Sequence, residues 1–375
     1  MLACFYFPNY HVDPRNEAVH GPGWSEWELV KRARPRFPGH DQPKIPAWGF
    51  EDESDPVVMA RKIDAAADHG IDAFIFDWYY YNDGPFLAGG VERGFMEAPN
   101  AERLKFGVMW ANHDWINIHP AALGKQPKLL YPGAVTPDTF ERMTDHLIAN
   151  YFGHPSYWRV DGRPWFSVYE MHTLMKSFGG ADETAAALQR FREKAKAAGF
   201  PDLHLNAVAW GVQLLPNERV VQHPEALIPR LGFDSVTSYV WIHEIGLDQF
   251  PQTPYDTVME KAVQIWDREV DRFGVPYYPN VTMGWDASPR CRQGDPFENR
   301  EYPFMATIGD NTPEAFGRAL ERVAHFLKTH PQCNNILTVN CWNEWTEGSY
   351  LEPDAKNGMA YLEEIKHVFS PVSEQ

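Results

Sequence analysis

Asn335-Ile336-Leu337-Thr338-Val339-Asn340 runs directly into Cys341-Trp342-Asn343-Glu344-Trp345-Thr346-Glu347-Gly348. The first six residues are a short apolar run of the kind that forms a buried strand. The next eight bring two carboxylates three residues apart, two tryptophans and a glycine to the point where that strand ends. A surface turn with two solvated glutamates is the bland reading. Tryptophan is costly to expose, however, and seldom decorates a plain turn. Carboxylates to move protons and aromatic rings to hold an apolar sugar face are what carbohydrate chemistry requires.

Working outward, the same unit recurs. Residues 2–7, 72–76, 105–110, 165–169, 204–209, 235–239 and 277–282 are further strand candidates, which with 335–340 makes eight. Helical patterns lie between them at 55–69, 137–151, 182–198, 255–273 and 313–330. Asp55-Pro56, Thr136-Pro137 and Thr312-Pro313 each place a capping side chain before a proline at the first helical position. Gly70, Gly199 and Gly274 follow helices as terminating glycines do. Eight strands alternating with helices predict an α/β fold, a (β/α)8 TIM barrel forming a single domain over residues 1–375. A doubly wound open sheet would carry a glycine-rich phosphate turn after an early strand. The first strand is followed instead by Pro8-Asn9-Tyr10-His11. Segments 8–50, 112–136 and 286–311 are long loops, and all three leave the C-terminal ends of strands, the active face of such a barrel.

Residues just past the strands carry the chemistry. Tyr10 and His11 follow the first strand, Asp77 the second, and Trp110, Asn112 and Asp114 the third. Glu170 follows the fourth, Trp210 the fifth and Tyr239 the sixth. Trp285, Asp286 and Arg290 follow the seventh, and Trp342, Asn343, Glu344 and Glu347 the eighth. Trp24 and Glu26 lie in the first loop and are expected to shape the wall. Together they predict an acidic, aromatic-lined cleft. Asp77 and His11 are each read two ways, as cleft residues or as satisfied core groups. Arg290 either pairs with Asp286 or reaches a substrate hydroxyl.

Bulk composition narrows the class. A net charge of −17 disfavours nucleic acid and anionic membrane surfaces as partners and fits a neutral oligo- or polysaccharide. Fourteen tryptophans exceed what core packing usually demands, so some are expected to stack on ligand. The four cysteines show no CxxC spacing, which disfavours a structural zinc site and fits reduced packing residues. The scattered histidines and acids form no regular ligand set, and neither a metal nor another cofactor is expected. There is no GxSxG, P-loop, HExxH or kinase signature. No stretch approaches a membrane span. Met1 leads straight into a strand, giving a cytoplasmic expectation, or a periplasmic or secreted one if a leader has been removed. Oligomeric state is not legible.

These residues resemble the glycoside hydrolase family 99-like group, which includes the WbsX-type proteins of polysaccharide gene clusters. The matching blocks are residues 5–11, Gly23-Trp24-Ser25-Glu26-Trp27, residues 37–43, Trp110-Ala111-Asn112-His113-Asp114-Trp115, Gly284-Trp285-Asp286 with Pro289-Arg290, and Trp342 to Gly348 with Leu351-Glu352-Pro353. They run in order over nearly the whole chain. The resemblance implies a (β/α)8 barrel and retaining, endo-acting cleavage of α-mannosides. It also implies that Glu347 is the general acid/base and that Glu344 deprotonates the sugar 2-hydroxyl, which attacks the anomeric carbon to give a 1,2-anhydro intermediate. His113-Asp114 stands where WbsX-type proteins more often carry Glu, and Glu170 has no place in the pattern, which leaves the sugar open. Glu170 either acts as a fourth-strand catalytic acid or pairs with a neighbouring arginine. Two other functions compete. A glycosyltransferase of surface-polysaccharide assembly would need a metal or basic phosphate site, and no convincing DxD or glycine-rich cradle is present. A non-catalytic carbohydrate-binding protein would not need both glutamates.

Overall fold

The computed structural model describes residues 1–369. The last six residues of the expected 1–375 domain lie outside the described residues. Eight parallel strands form the barrel: β1 Leu2–Tyr6, β2 Ala73–Tyr81, β3 Lys105–Trp110, β4 Arg163–Val168, β5 His204–Val208, β6 Ser235–Thr237, β7 in two halves, Tyr277–Tyr278 and Asn280–Thr282, and β8 Leu337–Asn340. They are apolar on both faces because helices cover one side and the barrel interior the other. Each pairs with its neighbour in sequence, and β8 returns to β1 with Leu337 opposite Leu2.

Closure depends on Pro279. Lacking an N–H, proline cannot donate to a ladder. The two residues before it pair with β6, and the three after it pair with β8. The Pro279 carbonyl still accepts from Thr338 N at 3.0 Å. Gly107 on β3 makes room inside the barrel: a Cβ there would lie 2.9 Å from the Trp165 ring. That ring stacks on Trp158 and His204 to fill the lower barrel. Above it, Ser167 reaches Asn206 at 2.7 Å, and Asn206 reaches Ser235 at 2.9 Å.

Ten α-helices complete the described fold: α1 Pro14–His20, α2 Trp27–Arg32, α3 Pro56–Asp68, α4 Pro137–Asn150, α5 Met171–Phe178, α6 Ala181–Ala197, α7 Pro224–Leu231, α8 Tyr255–Glu269, α9 Pro313–Thr329 and α10 Ala360–Phe369. The side chains of Asp55, Thr136 and Thr312 cap α3, α4 and α9 over their N1 prolines. Asp13-Pro14 caps α1 in the same way. The expected helix 255–273 stops at Glu269, where the chain tightens into a turn with Arg272 N bonded to Glu269 O. Strand β6 ends two residues early because its last ladder contact is Ala209 N to Thr237 O, which releases Tyr239 into the barrel mouth. The long loops are built rather than bare. The first contains α1 and α2, the second a hairpin of Trp115–Ile116 with Leu129–Tyr131, and the third a strand, Thr307–Gly309, parallel to Gln252–Pro254. All four cysteines are buried and free. No helix among the described residues is long and apolar enough to cross a membrane.

Candidate active site

Where β8 ends, Asn343–Glu344 doubles back on Ser349–Tyr350 as a tight hairpin. Its tip is a single turn, Trp345–Glu347, closed by Gly348 in the left-handed region at φ +63°. The hairpin thrusts Glu344 and Glu347 into a cleft at the C-terminal mouth of the barrel, with about 650 Å³ between its walls including the open mouth. Asp77, Tyr239, Arg290, Trp285, Tyr302, Asp114, His113, Trp115, His119, Tyr169 and His243 are among the other side chains that line it.

Arg290 organises the acids. Its Nε donates to Glu26 at 2.8 Å, one Nη to Glu347 and to the Tyr302 hydroxyl, and the other Nη to Glu344 at 3.3 Å. The Tyr302 hydroxyl also donates to Glu347 at 2.6 Å. On the far side, Tyr239 places its hydroxyl 2.8 Å from Asp77 and 3.0 Å from Glu344. One guanidinium thus faces several buried carboxyls. Burial raises the pKa of Glu344, and Glu347 and Asp77 raise it further against the pull of Arg290 and Tyr239. Burial also raises Glu347, opposed by Arg290 and by the Tyr302 hydrogen bond. Asp77 is raised chiefly by burial. Glu26 goes the other way: burial would raise it, but Arg290, His119 and Thr346 together hold it down. Glu26 is therefore the carboxyl that Arg290 holds most firmly ionised, while the cleft acids keep their protons to higher pH than ordinary carboxyls. This is the setting that lets one carboxyl donate a proton while another accepts one.

The structure brings Asp77, Asp114, Tyr239, Trp285, Arg290, Glu344 and Glu347 together in the cleft. The other expected site residues lie elsewhere. Tyr10, Glu26 and Asn343 are fully buried beneath it. Glu26 receives bonds from Asn9 and Thr346 as well as Arg290, and Asn343 clamps the backbone of Phe7. His11 is buried behind Gly89. Trp24 stacks on His20. Trp110 and Trp342 are fully buried, their indole N–H groups donating to Tyr80 O and Glu352. Trp210 donates to the Tyr169 carbonyl and borders a separate cavity. Asn112 exchanges two hydrogen bonds with the Glu170 backbone and so ties the ends of β3 and β4 together. Glu170 meets no arginine guanidinium: its carboxyl accepts from Arg219 N at 3.2 Å. Arg290 does not pair with Asp286. Burial would raise the Asp286 pKa, but hydrogen bonds from His40, Gln42 and Ser288 N take it down to about 2, and its own backbone N–H holds the Glu347 carbonyl at 2.5 Å.

Tyr302, His119, His243, Leu214 and Leu215 line the cleft without having been expected. They come from loops whose folding no local pattern reveals. Five buried polar atoms on lining side chains have no hydrogen-bond partner among the described residues: Asp77 Oδ1, Trp115 Nε1, His119 Nδ1, His243 Nδ1 and Trp285 Nε1. Unpaired buried polar groups are costly, and on a cleft wall a ligand or water can complete their bonding. Donors and acceptors mixed in this way suit hydroxyl groups, which serve as both. Among the described residues, no group of three or more His, Cys, Asp or Glu side chains is placed to hold a metal ion.

The chain matches the model of the family described as Glycosyltransferase WbsX over residues 2–365. It is 30% identical over 371 residues to the uncharacterized protein WxcX of Xanthomonas campestris pv. campestris strain B100, an alignment covering 98% of this chain and 49% of that protein. The chain therefore spans about half the length of the curated relatives it matches. Among solved structures it is similar to the GH99 endo-alpha-mannosidase from Bacteroides thetaiotaomicron, at 16% identity and a TM-score of 0.55, covering 98% of this chain and 96% of that one. It is also similar to a glycoside hydrolase-like protein, at 14% identity and a TM-score of 0.62, covering 98% and 93%. At such identities the structural likeness concerns the fold, and the (β/α)8 barrel is shared.

Proposed function

We propose that this chain, which belongs to the WbsX family, is a retaining glycoside hydrolase acting on α-linked, mannose-like glycans or bacterial polysaccharide. Residues 1–375 act as one catalytic domain in this reading. The observation that carries it is the pair Glu344 and Glu347 held on one guanidinium in a cleft whose lining leaves five polar atoms unpaired. Inverting enzymes separate their carboxyls by about 6.5–9.5 Å to admit a water. In the proposed route the nucleophile is instead the substrate's own 2-oxygen, so two successive inversions at the anomeric carbon give net retention.

Glu347 protonates the leaving oxygen, supported by burial that keeps its carboxyl protonated at higher pH than usual. Glu344 removes the 2-hydroxyl proton as that oxygen closes on the anomeric carbon. Water then opens the 1,2-anhydro sugar, giving a proton to Glu347 while the 2-oxygen recovers one from Glu344. Trp285 and Trp115 line the cleft wall, where Trp115 stacks on His113 and His119.

The family description names a second reading, a glycosyltransferase. A nucleotide diphosphate needs a free cation or metal. Arg290, the sole Lys or Arg side chain on the described cleft lining, is already engaged by three carboxyl groups.

The deciding experiment follows anomeric protons by NMR while the protein acts on α-linked oligosaccharides and bacterial polysaccharides. Release of a sugar with retained configuration is expected. Glu344→Gln and Glu347→Gln should each lower kcat by about 10²–10⁴. Turnover that survives both substitutions moves the chemistry elsewhere. Turnover only with nucleotide sugars establishes the transferase, and saturable glycan binding without turnover the binding protein.

A further inference from the structure

Tyr239 touches two carboxyls with one hydroxyl, at 2.8 Å from Asp77 Oδ2 and 3.0 Å from Glu344 Oε2. A phenol has a single proton and can donate to only one of them. The other contact is a hydrogen bond only if that carboxyl brings a proton of its own. The surroundings decide which one does. Glu344 has the Arg290 guanidinium 3.3 Å away, which favours its anion. Among the described residues Asp77 receives no bond other than that of Tyr239, and its Oδ1 is buried without a partner. Such an oxygen is far cheaper to bury on a neutral acid than on a carboxylate.

We infer that Asp77 stands protonated and donates to the Tyr239 oxygen, whose own proton points at Glu344 and keeps it ionised as the base. Asp77 is then a positioning residue acting through Tyr239. The inference rests on the hydrolase reading for its use, though not for its test. The protons balance. When the 2-oxygen bonds to the anomeric carbon its proton passes to Glu344, the leaving oxygen takes the proton of Glu347, and Asp77 and Tyr239 keep theirs throughout. The reverse arrangement, with Glu344 protonated and Asp77 ionised, has no base. The other titratable groups around this chain are Tyr79 on β2, Tyr169 beyond β4, His243 beside Tyr239, Cys341 before the hairpin, and Arg290 and Glu347 across the cleft. None is hydrogen-bonded to Asp77.

The test needs no substrate at first. Protein labelled with carboxyl-¹³C aspartate is titrated by NMR. Ordinary aspartates ionise near pH 4, and one resonance is expected to remain at the protonated position above pH 6. It should vanish in Asp77→Asn and move in Tyr239→Phe. All aspartates ionised by pH 6, or a protonated resonance that survives Asp77→Asn, overturns the proposal. On any glycan that is turned over, Asp77→Asn can still donate to Tyr239. It should lower kcat by no more than about tenfold and leave the acid limb of kcat/KM in place, since a neutral amide replaces a neutral acid. Asp77→Ala should lose about 100-fold or more at similar KM. Equal losses in the two variants, or an acid limb moved to lower pH in Asp77→Asn, also overturn it. No turnover on any glycan sinks the hydrolase reading alone, because the labelled-carboxyl result stands independently.

Discussion

Burial raises the pKa of Glu347 against the pull of named neighbours, and that balance can be moved one atom at a time. The Tyr302 hydroxyl donates to its carboxyl and so favours the ionised form. Tyr302→Phe removes that bond and leaves burial less opposed, so the folded pKa of Glu347 rises further. A general acid with a higher pKa stays protonated to higher pH, and the alkaline limb of kcat/KM should shift upward. A downward shift, read from pH–rate profiles of the two proteins, would remove Glu347 from the acid role. Gly348 is equally exposed to a single-atom change. Its φ of +63° belongs to the left-handed region, and a Cβ would lie 2.8 Å from Asp286 Cβ and 3.0 Å from Asp286 N. Gly348→Ala should cost about 1–3 kcal/mol in urea unfolding. Activity should fall as well, since Asp286 N is the group that holds the Glu347 carbonyl.

The hairpin that carries Glu344 and Glu347 is held as an element from behind. Trp342 and Trp345 donate their indole N–H groups to the two oxygens of Glu352, at 2.9 and 2.7 Å. Asn343 donates to Glu53 at 2.7 Å, and Lys62 of α3 bridges Glu53 and Glu352 at 2.6 and 2.5 Å. All three charged side chains are buried. Removing the cation alone leaves two buried acids without their partner, a loss that typically costs about 3–5 kcal/mol. Lys62→Ala should therefore lower the urea midpoint at unchanged m-value. A loss below 1 kcal/mol would mean that the carboxyls simply take up protons. The motif could be read in the sequence for its acids, but its tryptophans were not: they look like sugar platforms, and the structure uses them as anchors. Glu53 and Lys62 lie some 290 residues away along the chain, beyond any local pattern. One signal was there to find: Lys62 occupies the face of α3 that also carries Met59, Ile63 and Ala66, where an amphipathic helix places apolar groups.

At the scale of the whole molecule, all eight barrel strands and the five long helices could be read because each depends on local matters: apolar runs, caps and glycines. The short helices α1, α2, α5 and α7, the ten-residue α10 and the loop strands escaped, since so few residues give the periodicity little to repeat. The same packing that hides loop residues such as Glu218 and Glu244 also makes stability depend on pH. Burial first of all pushes Glu53 and Glu218 up to about 7 and Glu244 up to about 8. Burial also lowers His113, His119 and His204 to about 4 and His243 to about 3. The signs are opposed. A raised acid binds more protons folded than unfolded, so its contribution is full below 4.5 and lost as pH rises through the folded value. A lowered histidine binds fewer, so its contribution is present above 6.5 and lost as pH falls. Between 4.5 and 6.5 the two sets offset one another. Above 6.5 the histidines are neutral in both states, and the glutamates act alone. Stability should therefore fall between pH 6.5 and pH 8, at about 1.4 kcal/mol per pH unit for each proton still held. Urea unfolding at those two pH values checks this, and Glu244→Gln, which cannot titrate, should flatten the decline. A protein more stable at pH 8 than at 6.5 would show that these carboxyls are ionised within the fold and find their compensation elsewhere.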